Sequence, residues 1–493
     1  MKNIKLIFPL IGLILLTSCE DYLSETPDNR TVIDSEEKIK ELLVGAYPTN
    51  AYAPFLEPMT DNYGDKGNLE ETTDDYLKSY SWEPVINDQQ DTPIGFWSET
   101  YSAIAQANQA LASISELEGG ESDLSGEKGE GLLARAYGHF MLANIWGEHY
   151  DPQTAASNLA IPYVLEPETE AIKQYSRATV EEVYNLIEKD IEEGLPLLEN
   201  DYSQPDYHFT PAAGFAFASR FYLYKGDWDK VIEYSSEILN NADERIRDWE
   251  YYVDNLQISQ IGAEVMSPSE PSNLLIVVPV SNIYEDFAIN RFGLTENKKE
   301  ELFDASNPYG KDWAYQVVFF SNGGLTNTIN KYDFIFEYTD ITAGIGYRRT
   351  SVALLTHDES LLARAEAYAM KNDFAAAVQD INAFLSNKTR NYNPVTDQLT
   401  EEDILNEYPN AEEYNPYYSL TENQASFVKF IAEMRRREFY MEGLRWFDIK
   451  RFHIPVTHDF IDKPTDILTD NDNRRLLQIP PSAVSFGLQQ NPR

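Results

Sequence analysis

The 493-residue chain holds one cysteine, Cys19, at the end of a patterned N-terminus. Lys2 and Lys5 precede the mostly apolar run Leu6 to Leu16, which closes in Thr17-Ser18-Cys19. Two cations before about a dozen apolar residues are the n- and h-regions of a secretory signal. The run is too short for a spanning helix, which needs about 20 residues. Small residues ahead of a cysteine fit a lipoprotein signal peptidase, and the thiol is then the acceptor for a diacylglycerol. The rival reading is an ordinary signal peptide followed by a free thiol. The expected organisation is a signal peptide over 1–18, a lipidated tether over 19–33 and a folded domain over 34–493. A lone cysteine excludes an intramolecular disulfide framework and Cys-based zinc or iron–sulfur sites.

A second chemistry is written in rings. The chain has 32 Tyr, 24 Phe and 7 Trp. Stretches without helical period, roughly 50–92, 245–353 and 387–420, are rich in them. Tyr and Trp cover the apolar C–H faces of sugars while Asp, Asn and Arg bond the hydroxyls. The first stretch offers Tyr52, Asp61, Asn62, Tyr63, Tyr76, Tyr80 and Trp82; the second offers Trp249, Tyr251, Tyr252, Trp313, Tyr315, Asn322 and Tyr332. The candidate carbohydrate platforms are Tyr63, Trp82, Trp313 and Tyr315. For any single ring the competing role is a plug beneath its own loop.

Metal and catalytic patterns are weaker. Asp470-Asn471-Asp472-Asn473 starts like a calcium loop, but Arg475 stands where that loop needs Gly and no Glu closes it. His453 and His458 flank a proline-containing turn, where a surface role is expected. No GxGxxG, GxxxxGK[ST], HExxH or GxSxG is present. No cofactor or metal is expected. With 82 acidic residues, a carboxylate-pair glycosidase is the main enzymatic rival. The net charge of −43 and pI near 4.4 argue against nucleic acid and anionic membrane surfaces as partners.

Helical patterns must position these groups. Apolar periodicity and capping residues predict helices over about 34–47, 93–117, 131–146, 179–198, 211–224, 229–240, 358–370, 373–385 and 421–450. Asn108 falls on an apolar stripe and reads as a satisfied buried amide. Leu274 to Val280 reads as a short buried strand. Tyr222-Leu223-Tyr224-Lys225-Gly226-Asp227-Trp228 aligns with Tyr368-Ala369-Met370-Lys371-Asn372-Asp373-Phe374: a helix, a tight turn and a second helix with an aromatic packing back. That is tetratricopeptide logic. Leu133-Ala134-Arg135-Ala136-Tyr137 resembles the first helix of a third unit.

The stretch Arg435-Arg436-Arg437-Glu438 through Glu442-Gly443-Leu444-Arg445-Trp446-Phe447-Asp448-Ile449-Lys450-Arg451 resembles the signature helix of the SusD/RagB family. So do Trp97 to Leu111, Arg135 to Gly147, Arg364 to Tyr368, and the close Ile479-Pro480-Pro481 with Asn491-Pro492. Alternating signs at three- and four-residue spacing in the signature admit simple intrahelical pairing, so it carries no ligand role here. The resemblance implies a mainly α, SusD-like fold: a tetratricopeptide-like scaffold with long irregular loop insertions and minor β. It further implies a non-catalytic outer-membrane lipoprotein that captures oligosaccharide, or in some members peptide, for a SusC-like TonB-dependent transporter. Glu20 and Asp21 after the cysteine resemble a surface-export signal in Bacteroidetes. A periplasm-facing adaptor with no small ligand is the remaining alternative.

Overall fold

The computed structural model describes residues 33–67, 73–117, 123–168, 173–239, 245–315, 317–321, 325–409, 411 and 413–493. The expected signal, Cys19 and Asn322 lie outside them. Helices dominate, and the strands form two-stranded ribbons. No described helix is long and apolar enough to cross a membrane.

The N-terminal half runs through α1 (Glu36–Val44), α2 (Asp74–Tyr80), α3 (Pro93–Leu117), α4 (Ser125–Trp146) and α5 (Val180–Gly194). Helix α4 starts six residues before its expected Gly131 and is buried nearly all round. Three helix pairs make the scaffold: α4 with α5, α6 (Pro211–Lys225) with α7 (Trp228–Ile238), and α9 (His357–Met370) with α10 (Phe374–Ser386), where α9 also packs on α7. The aligned turns work alike. Gly226 (φ 79°) and Asn372 (φ 63°) take the left-handed conformation that ends a helix, and only Gly or Asn does so at little cost. Asp227 and Asp373 then cap the next helix, each accepting an amide at 3.2 Å. In two pairs an arginine on the first helix clamps an aspartate on the second. Arg135 meets Asp190 at 2.8 and 2.7 Å, and Arg364 meets Asp380 at the same distances.

The non-periodic stretches hold more regular structure than expected. They contain α2, helices at Trp249–Asn255 and Ile258–Val265, and α8 (Ile283–Ile289), each too short for a 3.6-residue period to stand out. Strand β1 (Asn273–Val277) is fully buried, as its apolar run predicts, and pairs antiparallel with β4 (Val352–Thr356). Between them, β2 (Ile335–Asp340) and β3 (Ile345–Arg349) form an exposed ribbon.

The expected 421–450 helix is two helices, α11 (Glu422–Glu438) and α12 (Leu444–Arg451), with Gly443 at φ 74° between them. Most of its charges pair far beyond the helix, contrary to the intrahelical reading. Arg436 donates to Asn62 at 2.8 Å and Glu301 at 2.6 Å; Arg445 clamps Asp61 at 2.9 and 2.8 Å; Arg451 clamps Glu366 at 2.6 and 2.7 Å. Arg435 and Arg451 share Asp448. Helical-spacing contacts also remain, from Arg451 to Asp448 at 2.9 Å and from Arg436 and Arg437 to Glu433 at 3.5 and 3.3 Å. Burial works to raise the pKa of Asp61, yet Arg436 and Arg445 outweigh it and hold the carboxyl well below the usual range.

Removing one member of such a pair strands a buried charge. Arg451→Ala should cost about 3–5 kcal/mol in urea denaturation. Lys371→Ala, at the exposed pair with Asp229, should cost no more than about 1 kcal/mol. A second expectation concerns Glu57, which is fully buried and accepts from Asn62 at 2.8 Å and the Gly443 amide at 3.0 Å. Burial pushes its pKa up to about 7. A folded pKa above the unfolded value means stability is full below about 4.5 and falls as pH rises through 7, by about 3 kcal/mol. Relative to wild type, Glu57→Gln should therefore be more stable at pH 8 than at pH 4.5, read from denaturation midpoints.

Candidate ligand-binding groove

The four candidate platforms are all buried. Tyr63 is 2 % exposed, Trp82 1 %, Trp313 5 % and Tyr315 6 %. Tyr63 packs on Phe287 and Tyr440. Trp313 and Tyr315 lie 5.9 Å apart, and Phe303 and Tyr440 link them to Tyr63. The Tyr315 hydroxyl donates to Glu438 at 2.9 Å, and the Arg437 guanidinium covers Trp313 at 5.2 Å. Trp82 stands apart, its Nε1 donating to the Met59 carbonyl at 2.9 Å and its ring stacked on His458 at 4.2 Å. The structure thus brings three of the four rings together in the interior, where none presents a face to a ligand. His458 is also not at the surface as expected. It is sandwiched between Trp82 and Tyr80, with its nitrogens against the Tyr80 and Thr60 carbonyls, and burial pulls its pKa down to about 4.

Asp470, Asn471, Asp472, Asn473 and His453 line one polar cavity of about 240 Å³. Arg475, at the position a calcium loop reserves for Gly, is buried and donates to the Thr469, Ile449 and Ile454 carbonyls. Among the described residues no three His, Cys, Asp or Glu side chains are grouped to hold a metal ion.

An open groove of about 490 Å³ lies elsewhere, between the first turns of α3, residues 162–168 and 173–175, and the chain end around α13 (Pro481–Ser485). Its floor lies over Trp97, only 7 % exposed, and the half-buried Tyr101 one helical turn on, with rings 5.0 Å apart and inclined by 57°. Trp146 supports Trp97 from behind at 4.9 Å. The Tyr101 hydroxyl donates to the Pro162 carbonyl at 2.9 Å, and burial raises its pKa. Facing them is Tyr175, whose hydroxyl donates to Glu168 at 2.7 Å and whose ring lies 5.2 Å from the Lys173 ammonium. Burial first, and then Glu168, push the Tyr175 phenol up to about 12. Ser98, Ser482 and the exposed Phe486 complete the rim.

Scaffold residues fix this wall. The loop closes at its base through Ala160 and Ala178, which exchange backbone bonds with each other's neighbourhood at 2.8 and 3.0 Å. The Val164 amide donates to His139 Nε2 at 3.0 Å and its carbonyl accepts from Asn108 at 2.9 Å. His139 is therefore a neutral ring with Nδ1–H toward the Arg135 carbonyl, and burial pulls its pKa down to about 3. Asn108 is the satisfied buried amide that the stripe predicted. Arg177 ties the Leu159 and Ala160 carbonyls to that of Gln489 near the chain end.

Comparisons with known proteins now bear on the same segments. The family described as "Starch-binding associating with outer membrane" matches residues 21–223, and the SusD family matches residues 291–491, together about four-fifths of the chain. The chain belongs to the SusD/RagB family. SusD-like protein P38 of Formosa agariphila is 22 % identical over 91 % of both chains. SusD-like protein P2 of the same organism is 22 % identical over 64 % of this chain, which spans 60 % of that protein's length. A SusD superfamily protein of Bacteroides thetaiotaomicron shares the fold with a TM-score of 0.68 at 18 % identity, covering 93 % of this chain and 99 % of the other.

Within this SusD fold the groove was only half legible. Trp97 and Tyr101 stand in the stripe that reads as core, because helical spacing tells which face they share and not what covers it. Tyr175, Lys173, Glu168 and Phe486 escaped notice. The available signal was the connection between α4 and α5: more than thirty residues where the other pairs turn in three or fewer.

Burial and exposure predict opposite behaviour. Trp82→Ala should lower stability by about 3–5 kcal/mol. Tyr175→Ala, at the groove rim, should change it by less than about 1 kcal/mol. Urea denaturation of the two variants checks both.

Proposed function

We propose that this protein is a surface-exposed outer-membrane lipoprotein, anchored through Cys19, that captures oligosaccharides and passes them to a SusC-like TonB-dependent transporter. The observation that carries the reading is the Trp97–Tyr101–Tyr175 groove. Its half-buried Tyr101 and Tyr175 and its exposed Phe486 suit the C–H faces of a sugar chain, backed by Trp97, while Glu168, Lys173, Ser98 and Ser482 suit its hydroxyls. The family description, with starch binding and the outer membrane, supports both ligand class and location. The protein holds its ligand without cleaving it. Tyr63, Trp82, Trp313 and Tyr315 serve as plugs beneath their loops.

The test is retention on immobilised glycan and peptide panels, with reducing-end release measured in parallel. Wild-type protein should retain a glycan and release no reducing ends. Trp97→Ala and Tyr175→Ala should each weaken retention at least about tenfold, as expected for losing a ring platform, while Tyr63→Ala should act only through stability. Retention confined to peptides overturns the ligand class; unchanged retention in the groove variants overturns the site. On cells, metabolic fatty-acid label and external-protease sensitivity should both disappear in Cys19→Ala.

A further inference from the structure

Two buried cations differ from the rest. Every other Lys or Arg that is buried among the described residues pairs with a carboxylate, as Arg451 does with Glu366 and Lys388 with Asp358. Lys450 and Arg475, each 4 % exposed, pair with none of the described carboxylates. Lys450, in the last turn of α12, donates to the Asn144 and Gly147 carbonyls, both at 2.6 Å, and so spends two of its three donors. Arg475 donates to the Thr469, Ile449 and Ile454 carbonyls at 2.8, 3.1 and 2.6 Å, spending three of five. Carbonyls satisfy hydrogen bonds but bring no full negative charge, and a buried ion without one is costly. Burial accordingly pulls the Lys450 ammonium down to about 8 and the Arg475 guanidinium down to about 10. Both cations line one space, the polar cavity of about 240 Å³ beside Asp470 to Asn473.

The rest of the lining is rich in acceptors. Glu148 follows Gly147, where Lys450 ties the end of α4, and accepts no hydrogen bond from any described residue. The Asp151 and Asp470 carboxylates accept only from nearby amides, Gln153 at 2.8 Å and Asn471 at 3.0 Å. Asp472, in contrast, is taken by Arg474 at 2.8 Å. The half-buried Tyr417 lines the same space, and its hydroxyl is already spent on the Lys225 carbonyl at 2.9 Å, so what it offers is its ring. Unspent donors on two cations and open lone pairs on three carboxylates therefore surround one small volume. A metal ion does not fit, because no three His, Cys, Asp or Glu side chains are grouped to hold it among the described residues. An anion would meet Glu148, Asp151 and Asp470, and a cation would meet Lys450 and Arg475. A hydroxyl both accepts and donates, so a neutral molecule carrying several of them serves both sets without either repulsion. The cavity is smaller than the about 300 Å³ at which pockets begin to hold drug-sized ligands, which suits one sugar residue rather than a chain.

We propose that this cavity is a second sugar site, which holds one neutral hexose residue and shares no lining residue with the Trp97–Tyr175 groove. The inference rests on the glycan-capture reading for its ligand class and adds a site to it. Lys450 and Arg475 donate to hydroxyl oxygens of the hexose, Glu148, Asp151 and Asp470 accept from its hydroxyls, and Tyr417 covers a C–H face. The two cations also order the site, since their carbonyl bonds tie together the end of α4, the end of α12 and the 469–473 loop that carry these groups.

Calorimetric titration of the whole protein with glucose, galactose, mannose, galacturonate, glucosamine and alanine tests this. At least one of the three neutral hexoses should bind with a Kd of about 1 mM, and more tightly than the three charged probes. Glu148→Ala and Asp470→Ala should each weaken that binding at least about fivefold without lowering the urea midpoint, because neither carboxylate holds another side chain. Tyr175→Ala, in the groove, should leave it intact. Lys450→Met would strand the Asn144 and Gly147 carbonyls, so the two carboxylate variants carry the decision. Binding of none of the hexoses, or hexose binding that survives both carboxylate variants, overturns the site. Tighter binding of galacturonate, glucosamine or alanine overturns its neutral ligand. Loss of hexose binding in Tyr175→Ala assigns that binding to the groove and overturns the site as well. Oligosaccharide retention in the groove without hexose binding in the cavity leaves glycan capture standing while this inference falls.

Discussion

Glu438 is fully buried, and five groups from four distant segments converge on it. Arg247 reaches its carboxylate at 3.3 Å, Lys388 at 3.1 Å, the Trp249 indole at 3.2 Å and the Tyr315 hydroxyl at 2.9 Å, while Lys331 bonds its backbone carbonyl. Glu442, one turn on, shares Arg247 and Lys331. Taking ions out of water costs several kcal/mol each, and their attraction offsets that only when every partner is present. The consequence is a constraint on topology. The segments around 247, 315 and 331 have no extensive helical pattern to dock them, and Lys388 sits just past the end of α10, yet each must deliver its donor to Glu438 or leave a buried charge unpaired. The network contributes less to net stability than its bond count implies, and more to choosing one arrangement of the loops.

That constraint explains why so many rings are hidden. Trp249, Trp313 and Tyr315 surround the Glu438 cluster, and Arg437 lies across Trp313. Aromatic side chains exclude water around the ions and keep the local dielectric low, which strengthens each charge-assisted bond. Two of them, Trp249 and Tyr315, also donate to the carboxylate. The aromatic wealth of the loops therefore serves burial of charge first. Rings away from the network, such as Tyr175 and Phe486, remain open to a ligand.

Legibility in the sequence followed the range of the interactions. Caps and left-handed turns act within three or four residues, so Gly226, Asn372, Asp227 and Asp373 could be read directly, and the helix pairs with them. Asn108 was readable because an amide on an apolar stripe has to be satisfied somewhere. The partners of the signature arginines were not, since Asp61 is 384 residues from Arg445 and Asp448 only 13 from Arg435. Local spacing offers intrahelical pairs of equal chemical merit, and only the fold decides between them. The same limit hid the burial of Tyr63 and Trp82: composition marks a ring-rich loop, but a ring's environment is set by what α8, the turn after α11 and the 456–458 strand place over it.

The groove's wall is tied to the scaffold by neutral bonds and, beneath them, by one buried ion pair: Arg135, clamped by Asp190, also donates to the Leu165 carbonyl at 3.3 Å. Val164 is fixed on both sides of its peptide by His139 and Asn108, and Arg177 secures the base of the loop to the chain end. A ligand entering between Trp97 and Tyr175 meets backbone already fixed at Val164 and at the loop's base, so less of its binding free energy is lost to arranging the protein. The groove's own charges, Glu168 and Lys173, contact Tyr175 rather than the core. Both are free to exchange that contact for a hydroxyl of similar bonding strength. A site built on the ion network would have to break a buried pair to do the same, at a cost of several kcal/mol that no sugar hydroxyl recovers.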